Sequence, residues 1–148
     1  WLHQIASIAG SGQVFMASPP EREMPMIATA DIGDRAAEVL AGPAPDQPVV
    51  LPLLGPRDYT FGECTAVLAG LLGTPVSYQP VPAEAVREPL KGMGASDSAA
   101  DVMVELEAAF AAGHVVGESP RSAGNTTPTT FEQFAEQTLV PAITAAAG

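Results

Sequence analysis

Met26-Ile27-Ala28-Thr29-Ala30, then Asp31-Ile32-Gly33-Asp34-Arg35-Ala36-Ala37-Glu38-Val39-Leu40, and further on Val49-Val50-Leu51-Pro52-Leu53, is the stretch on which the fold turns. The first five residues read as a strand. Asp31 has the side chain of a helix cap, and Ile32, Ala36, Val39 and Leu40 recur behind it at the helical period until Gly42. The loop Gly42 to Pro48 carries three prolines and leads into the apolar run Val49 to Leu53, which reads as a second strand. Strand, helix and strand in that order form a crossover unit. An apolar run of this kind suits a parallel sheet covered on both faces.

A second unit follows at once. Thr60 and Glu63 have capping-box spacing, and Phe61, Cys64, Val67, Leu68, Leu71 and Leu72 form the buried stripe of a helix that Gly73 ends. Val76 to Gln79 reads as another short strand. Upstream, Trp1, Ile5 and Ile8 lie at helical spacing, Gly10 and Gly12 turn the chain, and Gln13 to Met16 reads as a strand. The chain opens at Trp1, without an initiator Met, straight into this pattern, so a helix entered partway in a longer protein is expected. The loop Ala17 to Pro25, with three prolines beside Glu21, Arg22 and Glu23, breaks regular structure.

Beyond Pro80 the strand signal ends, and Ala83 to Leu90, Asp97 to Ala112 and Phe131 to Leu139 read as helices. Ser96 caps the second, which places Ala99, Met103, Leu106 and Phe110 on one face; Thr129 with Glu132 gives the third a capping box. Glu118 to Pro128 reads as an exposed loop. The expected fold class is α/β, a partial parallel sheet with crossover helices over residues 1–80 and a small helical lobe over 81–148, together one compact unit.

Composition narrows the partners. Six Lys and Arg against 17 Asp and Glu give a formal charge of −11, which repels phosphate backbones and anionic lipid. Neither nucleic acid nor membrane is therefore an expected partner. The single cysteine excludes an internal disulfide framework, and a reducing, cytoplasmic home is expected. A chain of 148 residues, 47% hydrophobic, is long enough for a core of its own.

Three pieces carry a resemblance. Met26 to Gly33 running into Arg35 to Leu40, then Leu54-Gly55-Pro56-Arg57-Asp58-Tyr59-Thr60 with the helix to Leu72-Gly73 and the strand Val76-Ser77-Tyr78, then Thr129-Thr130-Phe131-Glu132-Gln133-Phe134, are similar, in the same order, to the carboxy-terminal portion of NmrA-like proteins, atypical members of the short-chain dehydrogenase superfamily. The resemblance covers nearly the whole chain. It implies that residues 1–80 belong to a Rossmann-type domain, that the intact parent binds NADP or NAD, and that a pocket for a quinone-like or other aromatic substrate lies between that domain and the helical lobe.

The residues themselves supply no seat for the dinucleotide. A pyrophosphate needs a strand, a glycine-rich turn and a helix start. Gly10 and Gly12 follow a helix and have Phe15 in the third place; Gly92 and Gly94 follow no strand and have Asp97 there. No cofactor is therefore expected on this chain alone, and the cofactor-binding half is expected to lie outside it. The Tyr and Lys four residues apart that short-chain dehydrogenases use are missing, since Glu63 follows Tyr59 and Pro82 follows Tyr78 at that distance. No catalytic residue can be named.

Other chemistry reads as structure. His3 and His114 lack carboxylates at ligand spacing, Cys64 falls on a buried stripe, Asp97, Asp101 and Glu105 form a solvated acidic face, and Asn125-Thr126-Thr127 matches a glycosylation acceptor by chance. Trp1, Phe15 and Met16 flank the first turn and are the expected substrate-binding residues. The leading expectation is the substrate-side portion of an NAD(P)H-dependent oxidoreductase, inactive without its other half. The alternative is a non-catalytic regulator on the same scaffold that senses redox state or binds protein. A third reading is a freestanding domain that dimerises to cover the sheet edge left open by the missing half; the candidate protein partners are thus a second copy or that half.

Overall fold

The opening apolar residues wind through a tight turn, Leu2–Gln4, into helix α1, Ile5–Ser11, in the computed structural model, which describes residues 1–44, 46–114 and 119–148. Pro45 of the loop Gly42 to Pro48 and Glu118 of the loop Glu118 to Pro128 lie outside the described residues. Gly12 ends α1 at φ 66°, where a side chain would also stand 2.9 Å from the Pro75 carbonyl oxygen. Strand β1, Gln13–Met16, leaves that turn.

Strands β2, Glu23–Met24, and β3, Tyr59–Thr60, pair antiparallel, whereas β1 pairs in parallel with β4, Ser77–Pro80, Val14 opposite Tyr78. A parallel pair demands a long return path. Helices α2, Thr29–Ala41, and α3, Phe61–Leu72, lie along it. A 3-10 turn, Ala83–Val86, then leads to α4, Arg87–Gly92, and α5, Asp97–Ala112, which pack on each other.

The closing helix is continuous in three pieces: α6, Phe131–Phe134, a π-helical turn, Ala135–Leu139, and α7, Val140–Ala147. It returns to the amino-terminal side and packs on α1 and α3. Phe131, Ala135, Leu139 and Ile143 join Ile8, Val14, Tyr59, Cys64 and Leu68 in one core. The Val140 N–H reaches the Ala135 carbonyl five residues back, and Pro141, lacking an N–H, follows it.

Several local expectations hold. Thr60 and Glu63 form both bonds of a capping box, 3.0 and 2.8 Å, and the Ser96 hydroxyl caps α5 through the Ala99 N–H. Strand β1 falls on the expected Gln13 to Met16, and β4 lies one residue beyond the expected Val76 to Gln79.

Others are corrected. Met26 to Ala30 forms no strand: the ladder sits just upstream at Glu23–Met24, the Met26 N–H turns back to the Met24 carbonyl, and α2 begins at Thr29. Val49 to Leu53 forms none either, and Val50 is 90% exposed. Pro52 removes a ladder donor within that run, and Leu54, just beyond it, bridges to Thr126. Asp31 is not a cap, since the cap position is Ala28. The last capping box belongs to Thr130 with Gln133, one residue beyond the expected pair. The buried position on α5 is Ala100, with Ala99 and Leu106 in solvent.

Two close approaches bind the irregular segments. The Arg22 guanidinium donates to the Ala111 carbonyl at 2.8 Å, where the end of α5 is rich in free acceptors. Gly55 passes so near the Met26–Ile27 backbone that a Cβ there would lie 1.7 Å from the Met26 carbonyl oxygen. That contact is with main chain and cannot yield by a rotamer change. Gly55→Ala is expected to lower stability by about 3 kcal/mol, the upper end for overpacking, read as a shift in the urea midpoint with unchanged slope; an unshifted midpoint would show that the two segments separate freely.

Candidate functional site

Beside the core lies an aromatic wall. The Trp1 indole packs against Phe131, centroids 5.1 Å apart, and against Phe61 at 6.2 Å; Phe131 also meets Tyr59 and Phe134, and Phe61 meets Tyr78. Such tilted pairs set the positive edge of one ring toward the negative face of another. Two cavities open against this wall. One, of about 360 Å³, is bounded by Thr29, Tyr59, Thr130, Phe131 and Phe134; the other, of about 290 Å³, by Phe15, Met16, Met24, Phe61 and Phe110. Trp1, His3 and Met26 line both.

The three expected substrate-binding residues are thus brought together: Trp1, Phe15 and Met16 share the smaller cavity. Phe15 sits there on β1, 39% exposed, and its backbone is clamped by the buried Gln4 side chain, which donates to the Phe15 carbonyl at 2.7 Å and accepts from the Phe15 N–H at 2.9 Å. The Gln4 amide does for this open strand edge what a neighbouring strand would do. Nothing in apolar periodicity singles Gln4 out. Met26, read from sequence as a strand residue, is the other participant that patterning missed.

Tyr59 anchors the larger cavity. Its ring is buried, its hydroxyl accepts from the Phe131 N–H at 3.1 Å and donates to the Glu132 carboxylate at 3.2 Å, and the Arg57 guanidinium lies 3.8 Å above the ring. Burial opposes ionisation of Glu132, but its own backbone N–H, Thr130, Tyr59 and Arg57 outweigh it and hold the carboxyl below its usual range. The Tyr78 hydroxyl donates to the Ser18 carbonyl at 2.6 Å, and burial, aided by Glu107 and Glu21, pushes that phenol up to about 12. That phenol is not poised to trade a proton near neutrality.

Cys64 lies in the core, its thiol pushed up to about 12 by burial first and then by Glu63 and Glu132, so it packs as an inert thiol. Asp97 faces Lys91 at 2.9 Å, and Asp101 pairs with Arg87. Asn125 is buried in a turn, accepting from the Ser122 N–H and donating to the Pro120 carbonyl. His3 is at the cavity mouth, and the His114 N–H closes α5 on the Ala109 carbonyl.

The glycines do not fit a pyrophosphate. Gly12 joins a helix to a strand, the reverse of the required order, and Gly94 donates to the Lys91 carbonyl. At the strand-to-helix join of β3 and α3, the Gly62 N–H is taken by the Pro20 carbonyl and the Glu63 N–H by Thr60, with Glu63 adding negative charge. At each of these glycine turns the amide named is already engaged and is not free for a diphosphate. Among the described residues no helix is long and apolar enough to cross a membrane.

No family model matches this chain. In sequence it is similar to the NAD(P)H azoreductase of Xenophilus azovorans, 29% identical over 119 residues that take in 78% of this chain and 41% of that protein. In structure it is similar to the Citrobacter sp. triphenylmethane reductase complexed with NADP(H), with TM-score 0.61 and 17% identity over 96% of this chain and 47% of that one. A second structure of that reductase gives TM-score 0.60 and 16% identity over 97% and 47%. The chain therefore spans about half the length, or less, of the proteins it matches. The likeness shows the fold class, a partial Rossmann-type α/β arrangement with a carboxy-terminal helical lobe.

Asp31, 9% exposed, fixes where the closing helix begins beside the larger cavity. Its carboxylate accepts from the Thr129 hydroxyl at 2.6 Å and the Thr129 N–H at 3.1 Å. Burial disfavours its charge, but these bonds, with one from Thr127, prevail and lower its pKa. A carboxyl lowered on folding stabilises the protein above its unfolded value, near pH 4, and the contribution fades as pH falls through the folded one. Asp31→Asn is expected to cost about 2 kcal/mol at neutral pH and to flatten the acid side of the stability profile in urea titrations; parallel profiles for the two proteins would rule the bond out as a source of stability.

Proposed function

We propose that this chain is the substrate-side portion of an NmrA-like, NAD(P)H-dependent reductase acting on a flat aromatic or quinone-like acceptor. The observation that carries this reading is an aromatic-walled cavity next to a parallel β1–β4 pair, in a chain whose own glycine turns do not fit a diphosphate. Similarity to an azoreductase and to a dye reductase complexed with NADP(H) supports the chemistry. In this reading Trp1, Phe15 and Met16 bind and orient the acceptor, burying its faces and excluding water, while hydride delivery belongs to polypeptide outside the chain.

Two features support a companion half. The apolar side of α2 is exposed, Leu40 to 85%, and so is the run Val49 to Leu51. Side chains of this kind gain about 1.5–3 kcal/mol each when fully covered, and a further α/β layer would cover them. Residues 1–80 then complete a nucleotide-binding domain, and residues 81–148 contribute the lobe over the acceptor.

The test is dye decolourisation with NADPH. A longer protein that contains this chain and a glycine-rich strand–turn–helix is expected to bleach an azo or triphenylmethane dye, whereas the 148-residue chain bleaches none. Trp1→Ala or Phe15→Ala in the longer protein is expected to raise KM about tenfold, the worth of one lost aromatic contact, with the NADPH Kd unchanged. Saturable NADPH binding by the 148-residue chain alone would defeat the reading.

A further inference from the structure

We propose that Met26 sets the size of the aromatic ligand this chain accepts, by holding a partition across what is otherwise one chamber. The inference rests on the aromatic-site reading above and extends it to the larger cavity, which that reading leaves unassigned.

The two cavities share Trp1, His3 and Met26 as walls. Trp1 stands between them, since its indole touches Phe131 of the larger and Phe61 of the smaller. Met26 completes the divide. Its sulfur accepts from the Trp1 indole N–H at 3.4 Å and lies 3.9 Å from the Cys64 thiol, so two donors from different elements aim at one flexible thioether. Left free, a methionine with three rotatable bonds would fill whatever gap was nearest. Held in this way, it stays at the divide.

Size decides what the partition does. Cavities that bury a drug-sized ligand run from about 300 to 1,000 Å³. At about 290 and 360 Å³, each compartment alone is at the lower limit and suits one ring system. Joined, they lie in mid-range and suit two ring systems on a short linker. The described lining residues include Glu107 in the smaller compartment but neither Lys nor Arg in either, which favours uncharged aromatic ligands over anionic ones. Swinging of the Met26 side chain is the motion that admits the second ring.

The chain carries its own reporter, because Trp1 is its sole tryptophan and forms part of the divide. Quenching of Trp1 emission is followed while the 148-residue chain is titrated with naphthylamine, one ring system, or N-phenylnaphthylamine, two on a one-atom linker. In the native chain the two probes are expected to bind within about threefold of each other. Met26→Ala is expected to tighten N-phenylnaphthylamine by about tenfold while leaving naphthylamine within about threefold. Met26→Leu, which keeps the bulk and loses the sulfur, retains the native ratio. If Met26→Ala fails to fold by circular dichroism, Met26→Val carries the same comparison with a gain of about threefold. A shortened side chain that moves both probes equally, or neither, overturns the partition and leaves the aromatic site standing. Failure of the native chain to bind either probe overturns the aromatic-site reading, and the partition with it.

Discussion

Tyr59 is a large buried side chain that brings a polar end with it, and the way that end is satisfied holds the molecule together. A helix starts with N–H groups that no turn of its own can use. At the closing helix one of these, from Phe131, is met by the phenol of a residue 72 positions earlier, which passes its own proton toward Glu132. The bond fixes the height of the closing helix against β3 and α3. Phe131 then meets Trp1, and the wall shared by both cavities exists because these two rings are held at one level. The first turn of α2 is tied to the same place through Asp31 and Thr129. A phenol and a carboxylate, each reaching across long sequence separations, therefore seat the helix on which the site leans.

Much of the local structure was legible from short-range chemistry. The capping box of α3, the cap of α5 and the glycine stops at residues 12 and 73 depend on neighbours a few positions apart, and a linear reading sees them. The errors arose where a partner far along the chain decides. Val49 to Leu53 has the apolar character of a buried strand, but a strand exists only when an adjacent edge accepts it, and Pro52 already weakened the case. Asp31 looks like a cap because its side chain suits one; its bonds go instead to Thr129. The one-residue displacement of the last capping box, from Thr129 to Thr130, follows from that tie, since Thr129 is already engaged by Asp31.

The candidate cavity was legible in part. Trp1, Phe15 and Met16 share a cavity, as large apolar side chains at one turn suggest. What could not be read was the counterpart from later in the chain. Phe61, Phe110 and Phe131 come from three helices, and Gln4, which fixes the Phe15 backbone, is polar and buried against the usual trend. Its signal was the isolated amide among apolar residues of the opening turn, a group that once buried must find partners.

The π-helical turn gives the closing helix a tolerance for an unusual rhythm. Phe131, Ala135, Leu139 and Ile143 recur at intervals of four, and on a regular α-helix each such step overshoots a full circle by about 40°, so the stripe would spiral off the core. Between Ala135 and Leu139 the winding slackens, and the drift is partly cancelled. The helix thus behaves as though it holds one surplus residue, absorbed as a bulge. Winding the same residues as a regular α-helix would instead carry Ile143 about 120° around the axis from Phe131, turning a buried anchor toward water; with this sequence, regularity and correct packing at this turn are incompatible.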